Sequence, residues 1–173
     1  LETVLLVNEQ DEVIGSMEKL EAHQKGLLHR AFSVFIHQEG KVLLQQRSLN
    51  KYHSSGLWTN TCCSHPGPDE TLSNAGSRRL KEEMGIDCPV KASFHFIYKV
   101  QLDSGLIENE LDHVLFGTYD GEIYPNPDEV MDYKWMPWNE LTNDITLHPE
   151  RYTAWLQILL ADHKQKIEEI LFS

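Results

Sequence analysis

An α/β domain in which a mixed β-sheet packs between helices is the fold this sequence predicts, and three observations predict it. Runs with the two-residue alternation of strands interleave with stripes at helical spacing. Turn signals separate runs that pair as hairpins. The chain has 173 residues, 40% hydrophobic and 24% charged, which suits one compact core, since domains commonly run to roughly 100 to 200 residues. No stretch reads as a linker, a repeat or low complexity, so disorder and repeat arrays are poor readings.

Taken in chain order, Val4 to Val7 and the segment around Val13 flank Asn8 to Glu12 as a short hairpin, and Met17 to Gln24 follow as a helical turn or two. Ala31 to His37 and Lys41 to Gln46 are β-prone runs separated by Gln38, Glu39 and Gly40, another hairpin signature. In Thr71 to Met84, residues Leu72, Ala75, Gly76, Leu80 and Met84 fall on one helical stripe, and Gly85 stands where a left-handed C-terminal cap is expected. Phe94, Phe96, Tyr98, Val100 and Leu102 alternate at period two, and Ser104 and Gly105 then turn the chain into the run Ile107 to Tyr119. From Pro149 on, Tyr152, Trp155, Leu156, Leu159, Leu160, Ile167 and Ile170 make a longer amphipathic stripe, with proline near the first helical position. A sheet covered by helices buries both stripes.

Fifteen Lys and Arg against 27 Asp and Glu leave a formal charge of −12. That field repels nucleic acid and anionic membranes, so an anionic ligand must be held by a local cluster of cations. No apolar run approaches the roughly 18 residues of a membrane span, and LETVLLVNEQ lacks the basic start and long apolar stretch of a secretory signal. The expectation is a mature cytosolic protein. Cys62, Cys63 and Cys88 are odd in number and two are adjacent, which favours free thiols in a reducing compartment.

Four groups of residues carry chemistry. Ser64, Glu70, Arg78, Arg79, Leu80, Glu82, Glu83, Gly85 and Ile86 stand at the spacing of the Nudix box, G-x5-E-x7-R-E-U-x-E-E-x-G-U, which they resemble at seven of nine specified positions. In that pattern a loop feeds a helix whose carboxylates hold a hard divalent cation, and the cation grips a diphosphate. Ser64 replaces the first glycine and Arg79 the first helical glutamate, and the loss of that glutamate argues against metal-assisted hydrolysis. A plainer alternative makes Glu82 and Glu83 a solvated face paired with Arg78 and Arg79. Next, Cys63 lies two residues before His65 and just ahead of the carboxylate helix, where nearby cations would make its thiol a usable acid or base; Cys62 and Cys88 read as inert buried thiols. Third, period-two geometry puts Glu108 and Glu110 on one face of an apolar strand, costly to bury unless a metal or shared proton compensates, and cheap if the strand is an edge. Last, His37, His53, His148 and His163 read as surface or capping groups. His23, His29 and His65, with Glu108 and Glu110, would form a mixed N/O set suited to Mn, Zn, Fe or Mg.

The ordered set Glu18-Lys19, His23, Leu28-His29-Arg30-Ala31-Phe32-Ser33, Gln46-Arg47, Lys51, Gly56 to Pro66, Glu108-Asn109-Glu110 and Asp128 to Tyr133 resembles the type I isopentenyl-diphosphate delta-isomerases. The likeness covers nearly the whole chain, and Trp-Thr-Asn followed by Cys-x-His-Pro and a later Glu-Asn-Glu is specific well beyond the box. It implies a single Nudix-type isomerase domain over 1–173, its core at about 28–160, with the N-terminal hairpin and the C-terminal helix completing the site. It further implies Cys63 and Glu110 as the catalytic pair, with Tyr98 and Trp155 as aromatic site positions. His23, His29, His65, Glu108 and Glu110 would ligate one divalent metal, Mn²⁺ or Zn²⁺. Glu83 would hold Mg²⁺ bound with the diphosphate, and Lys19, Arg47, Lys51 and Ser64 would contact its oxygens. Arg79, a departure from the hydrolase pattern, agrees with the isomerases. The implied substrate is a small allylic or homoallylic diphosphate in isoprene biosynthesis, and the implied protein is a cytoplasmic monomer or weak homodimer that binds neither nucleic acid nor membrane. A Nudix diphosphohydrolase and a metal-stabilised binding module are the competing readings.

Overall fold

The computed structural model describes residues 2–173. Nine strands form one sheet: β1 (Thr3–Val7), β2 (Val13–Glu18), β3 (His29–Gln38), β4 (Lys41–Arg47), β5 (Trp58–Thr59), β6 (Cys62–Ser64), β7 (Lys91–Gln101), β8 (Ile107–Thr118) and β9 (Val130–Pro137). Five α-helices accompany them: α1 (Lys19–Lys25), α2 (Leu72–Met84), α3 (Trp138–Leu147), α4 (Ala154–Asp162) and α5 (Lys164–Leu171). This is the expected mixed sheet between helices.

Strand β3 organises the sheet. It runs parallel to β8 from His29 opposite Glu110 to His37 opposite Thr118, pairs antiparallel with β6, and touches both β1 and β4. Its alternate residues serve two cores. Phe32, Val34 and Ile36 face α2 with Leu43, Cys62, Leu80, Met84, Ile86 and Leu115. Phe35 faces the other way, with Phe96, Tyr98, Val114 and Phe116, against α3, α4 and α5.

Helix α2 forms where its stripe predicts. Thr71 caps its start by accepting from the Asn74 amide, and Gly85 ends it at φ 67°, a conformation that favours glycine. Gly76 lets the helix lie close to the sheet: a Cβ there would stand 2.8 Å from Leu115 Cδ2 and Val90 Cγ2.

Three departures from the sequence reading have local causes. Met17 and Glu18 end β2, and Glu18 caps α1 from outside it, so the helix starts two residues later than expected. The C-terminal stripe is two helices, α4 and α5, broken at His163 and preceded by a 3₁₀ turn at Pro149–Arg151; the apolar spacing runs on across the break because both helices pack on the same core. Strand β8 is no edge strand, being paired on both sides by β3 and β7, so its carboxylates do not have open water beside them.

Candidate active site and metal centre

The sheet face that packs against α4 and α5 changes character along its length. At one end Phe35, Val114 and Phe116 are core. Toward the other, the same alternation brings His29 and Ser33 of β3, Glu108, Glu110 and Asp112 of β8, Tyr98 of β7 and Cys63 of β6 onto that face. The site is the polar continuation of a hydrophobic core. It opens into a cavity of about 360 Å³ whose walls include Cys63, Tyr98, Glu108, Glu110, Asp112 and Trp155. Adjacent residues of β6 point to opposite sides, which separates the two cysteines: Cys62 lies wholly inside the α2 core, while Cys63 meets the cavity. All three thiols are free.

Imidazoles gather around Glu110. His29 Nε2 and His65 Nε2 each lie 3.1 Å from Glu110 Oε2. His23 Nδ1 is 2.8 Å from the Lys19 carbonyl and His29 Nδ1 is 2.9 Å from the Leu27 carbonyl, so each commits its Nδ1 proton outward and turns Nε2 inward. One ligand atom from each of His23, His29, His65 and Glu110 lies within 4.8 Å of the others. Nitrogen lone pairs aimed at a buried carboxylate repel it unless a proton or a cation stands between them, and the donor set suits a borderline divalent ion. These residues fit a metal. Glu108 stands apart from that quartet: its Oε2 is 4.0 Å from His23 Nε2 and 3.6 Å from His53 Nε2.

The carboxylates differ in state. Burial and the neighbouring Glu110 charge hold Glu108 well above the carboxylate range. Burial would raise Glu110 too, but its bonds to His29 and His65 hold it well below that range. Tyr98 Oη joins the two, 2.8 Å from Glu108 Oε1 and 2.6 Å from Glu110 Oε1. Tyr98 carries one O–H within donating reach of both carboxylates, so it bridges Glu108 and Glu110.

Cys63 sits beside other partners, its Sγ 3.2 Å from Asn60 Oδ1 and 3.6 Å from Ser33 Oγ, and Ser33 donates to Asp112 Oδ2 at 2.8 Å. Burial, with Asp112 adding to it, pushes the thiol up. The cations expected to activate it act too weakly to offset this in the free protein, Arg47 being the one that favours the thiolate. Trp155 donates Nε1–H to Asn60 Oδ1 at 3.3 Å, and the Arg47 guanidinium lies 5.3 Å from its ring centre.

The cations that line the cavity are engaged. Lys19 Nζ is 2.6 Å from Glu2, Lys51 Nζ is 2.5 Å from Glu129, and Arg47 donates to the His53 and Ser54 carbonyls. Arg78 and Arg79 line it as well, and Ser64 reaches its wall. Of the box carboxylates, Glu82 is an exposed partner of Arg78 and Arg79, whereas Glu83 is buried, one oxygen held by Gln45 at 2.9 Å and the other by Arg79 at 2.5 Å.

Sequence reasoning missed three residues here. His53, expected at the surface, is buried beside His23 and Glu108. Asp112 is buried on the cavity wall, and its Oδ1 has no partner among the described residues. Asn60 ties Cys63 to Trp155. Parity with Glu108 and Glu110 was a signal for Asp112; a lone loop histidine offered none for His53.

Known proteins resemble this chain in sequence and in fold. A NUDIX domain matches residues 27–156. The chain is 51% identical to isopentenyl-diphosphate Delta-isomerase 2 of Aromatoleum aromaticum over 91% of its own length and 84% of that protein's. It is 51% identical to the isopentenyl-diphosphate Delta-isomerase of Pectobacterium atrosepticum, covering 93% of this chain and 90% of that one. Among solved structures, DR0079 from Deinococcus radiodurans superposes with a TM-score of 0.75 at 19% identity over 92% of this chain and 98% of that one, a likeness of fold.

Proposed function

The chain belongs to the isopentenyl-diphosphate Delta-isomerases within the NUDIX superfamily, and from that premise we propose how its own residues divide the work. As an isomerase it interconverts isopentenyl and dimethylallyl diphosphate, moving a terminal double bond one position inward. The step protonates an unactivated alkene, passes through a tertiary carbocation and removes a proton from a different carbon. That demands an acid, a base and the exclusion of water.

One observation carries the assignment: Glu110 and Cys63 line the same cavity from different strands, each with its own set of hydrogen-bond partners. Glu110, bridged to Glu108 by the Tyr98 hydroxyl, serves the terminal carbon. Cys63 serves the second carbon, and the roles exchange when the reaction runs backward. The resting thiol is the form that donates a proton, and its use as a base requires the thiolate that Arg47 favours. Asn60 and Ser33 orient the sulfur. Trp155 presents an aromatic ring to the cavity, where a ring opposite a desolvated cation contributes up to about 2 kcal/mol.

Lys19, Arg47, Lys51 and Ser64 are assigned to the diphosphate, with Arg78 and Arg79 as further cations on the same wall. In a chain of charge −12 these are the groups able to receive a trianion. Lys19 and Lys51 exchange Glu2 and Glu129 for phosphate oxygens when substrate enters. His23, His29, His65, Glu108 and Glu110 would hold Mn²⁺ or Zn²⁺, and Glu83 a Mg²⁺ that arrives with the diphosphate. Such ions supply positive charge at Glu110 and at the phosphates. Arg79, where hydrolases carry a carboxylate, spans Glu82 and Glu83, which supports isomerisation over phosphate release. No helix among the described residues is long and apolar enough to cross a membrane, and a cytoplasmic location is part of the proposal.

The test is incubation with isopentenyl diphosphate and a divalent metal in deuterated water, followed by NMR. Dimethylallyl diphosphate carrying deuterium is the expected product; inorganic phosphate released at a comparable rate would overturn the reading.

A further inference from the structure

His53 has no part in the chemistry above, yet the fold places it with care. It lies on the loop between β4 and β5, and Arg47 holds that loop's backbone by donating to the His53 and Ser54 carbonyls, each at 3.2 Å. The imidazole is 6% exposed, stacks on His23 with ring centres 5.9 Å apart, and turns Nδ1 to Ser54 Oγ at 3.1 Å. Its Nε2 points at Glu108. One ligand atom from each of His23, His53 and Glu108 lies within 4.8 Å of the others, a second group beside the quartet on Glu110.

The separations are informative. His53 Nε2 is 3.6 Å and His23 Nε2 is 4.0 Å from Glu108 Oε2, and neither is a hydrogen bond. Two donors each about 2.1 Å from one ion stand roughly 3.0 Å apart when adjacent and roughly 4.2 Å apart when opposite. Both distances fall in that window. His23 Nε2 belongs to both groups and has one lone pair, because its Nδ1 faces the Lys19 carbonyl. His23 can therefore serve one ion only, and that ion is the one the two groups would have in common.

We propose that His53 is a further protein ligand of the metal centre, closing on the ion from the His23 and Glu108 side. The proposal rests on the reading that His23, His29, His65 and Glu110 hold that ion. With Nδ1 turned to Ser54 Oγ, Nε2 is the ring nitrogen left to face Glu108 and the ion. Arg47 gains a second task as the strut that sets the loop carrying His53.

The experiment titrates metal-free wild type, His53→Gln and His29→Ala with Co²⁺ in the absence of diphosphate, following visible absorption, metal content and the hyperfine-shifted imidazole N–H resonances. Wild type should take up a single Co²⁺. His53→Gln should bind it on the order of 10- to 100-fold more weakly, with a changed absorption band and the loss of one imidazole resonance. An unchanged dissociation constant and resonance set in His53→Gln, while His29→Ala loses the ion, would overturn the role of His53 and leave the main centre standing. If wild type binds no Co²⁺, or His29→Ala binds it as well as wild type, both readings fall. Two Co²⁺ per chain would overturn the shared centre. Should His53→Gln fail to fold, wild type decides: a shifted resonance with nuclear Overhauser contact to Ser54 or Tyr52 supports ligation, and its absence overturns it.

Discussion

Helix α2 and strand β8 both bring a row of carboxylates to this end of the molecule, and they neutralise them by opposite means. On α2, Glu82 and Glu83 meet Arg78 and Arg79, and Glu70 just ahead of the helix takes a bidentate hold from Arg78 at 2.7 and 2.9 Å. On β8, Glu108, Glu110 and Asp112 are buried among imidazoles, a phenol and a serine hydroxyl. An arginine is always charged, so a carboxylate paired with it has its ionisation settled. Imidazole, phenol and a second carboxylate exchange protons with their partners, and a carboxylate among them stays adjustable. In this chain the carboxylates of the box helix are mostly braced by arginines, and those of the strand keep partners that can exchange protons.

The sharpest way to break that comparison is to remove one group from β8 and one from β6. Glu110→Gln takes the adjustable carboxylate from β8, and Cys63→Ala takes the thiol from β6. Each should lower turnover by roughly 10²- to 10⁴-fold, the range of general acid or base catalysis. Their failures should differ: Glu110→Gln should lose both bound metal and deuterium entry at the terminal carbon, whereas Cys63→Ala should keep its metal. Mass spectrometry of solvent deuterium with metal analysis checks this. Near-wild-type turnover of Cys63→Ala would make it a structural thiol.

A smaller effect separates two neighbours on the helix. Glu83→Gln should raise the Mg²⁺ concentration needed for half-maximal activity on the order of 10-fold, and Glu82→Gln should leave it nearly unchanged, because Glu82 is exposed and Glu83 is buried against Gln45 and Arg79. A Mg²⁺ titration at fixed substrate measures both, and equal effects would mean that α2 offers no metal ligand.

The smallest effect tests the brace. The Arg78 bond holds Glu70 below the ordinary carboxylate range, aided by the Gly67 amide and opposed by slight burial. A lowered folded-state pKa adds stability that is present above the unfolded value and lost as pH falls through the folded one. Glu70→Gln should therefore cost up to about 1 kcal/mol at neutral pH, the scale of a well-formed surface pair, and nothing once acid has protonated the wild-type group. Urea denaturation at neutral and strongly acidic pH checks both; a pH-independent difference would remove the ion pair as its cause.

What the sequence made legible follows the range of the forces involved. Helix α2 and both of its caps are local, and so are the hairpins at Gly40 and Ser104–Gly105. Strand β9 escaped notice because Asp132, Tyr133 and Lys134 are exposed while the strand is held through distant pairing with β4. Helix α3 begins after Pro137 without a side-chain cap, so no start signal marks it. The metal quartet needed His23, His29, His65 and Glu110 to converge from four elements or loops; residue chemistry raised that set as a possibility, and no spacing in the sequence could bring its members together. His53 lay beyond even that, since the loop carrying it is shaped by Arg47 and not by any periodicity.

The alternation along β3 also places a limit on how this protein can change. His29, Ser33 and Phe35 share one parity, and Phe32, Val34 and Ile36 share the other against α2. Inserting or deleting a single residue at the start of β3 would exchange the two sets, turning phenylalanine and valine into the cavity and driving imidazole and hydroxyl under the helix. Gradual drift in length is therefore closed to this strand. Tolerance for insertions should lie in the β1–β2 turn and in the segment after β8, and a library of random in-frame insertions would map β3 as a gap with no survivors.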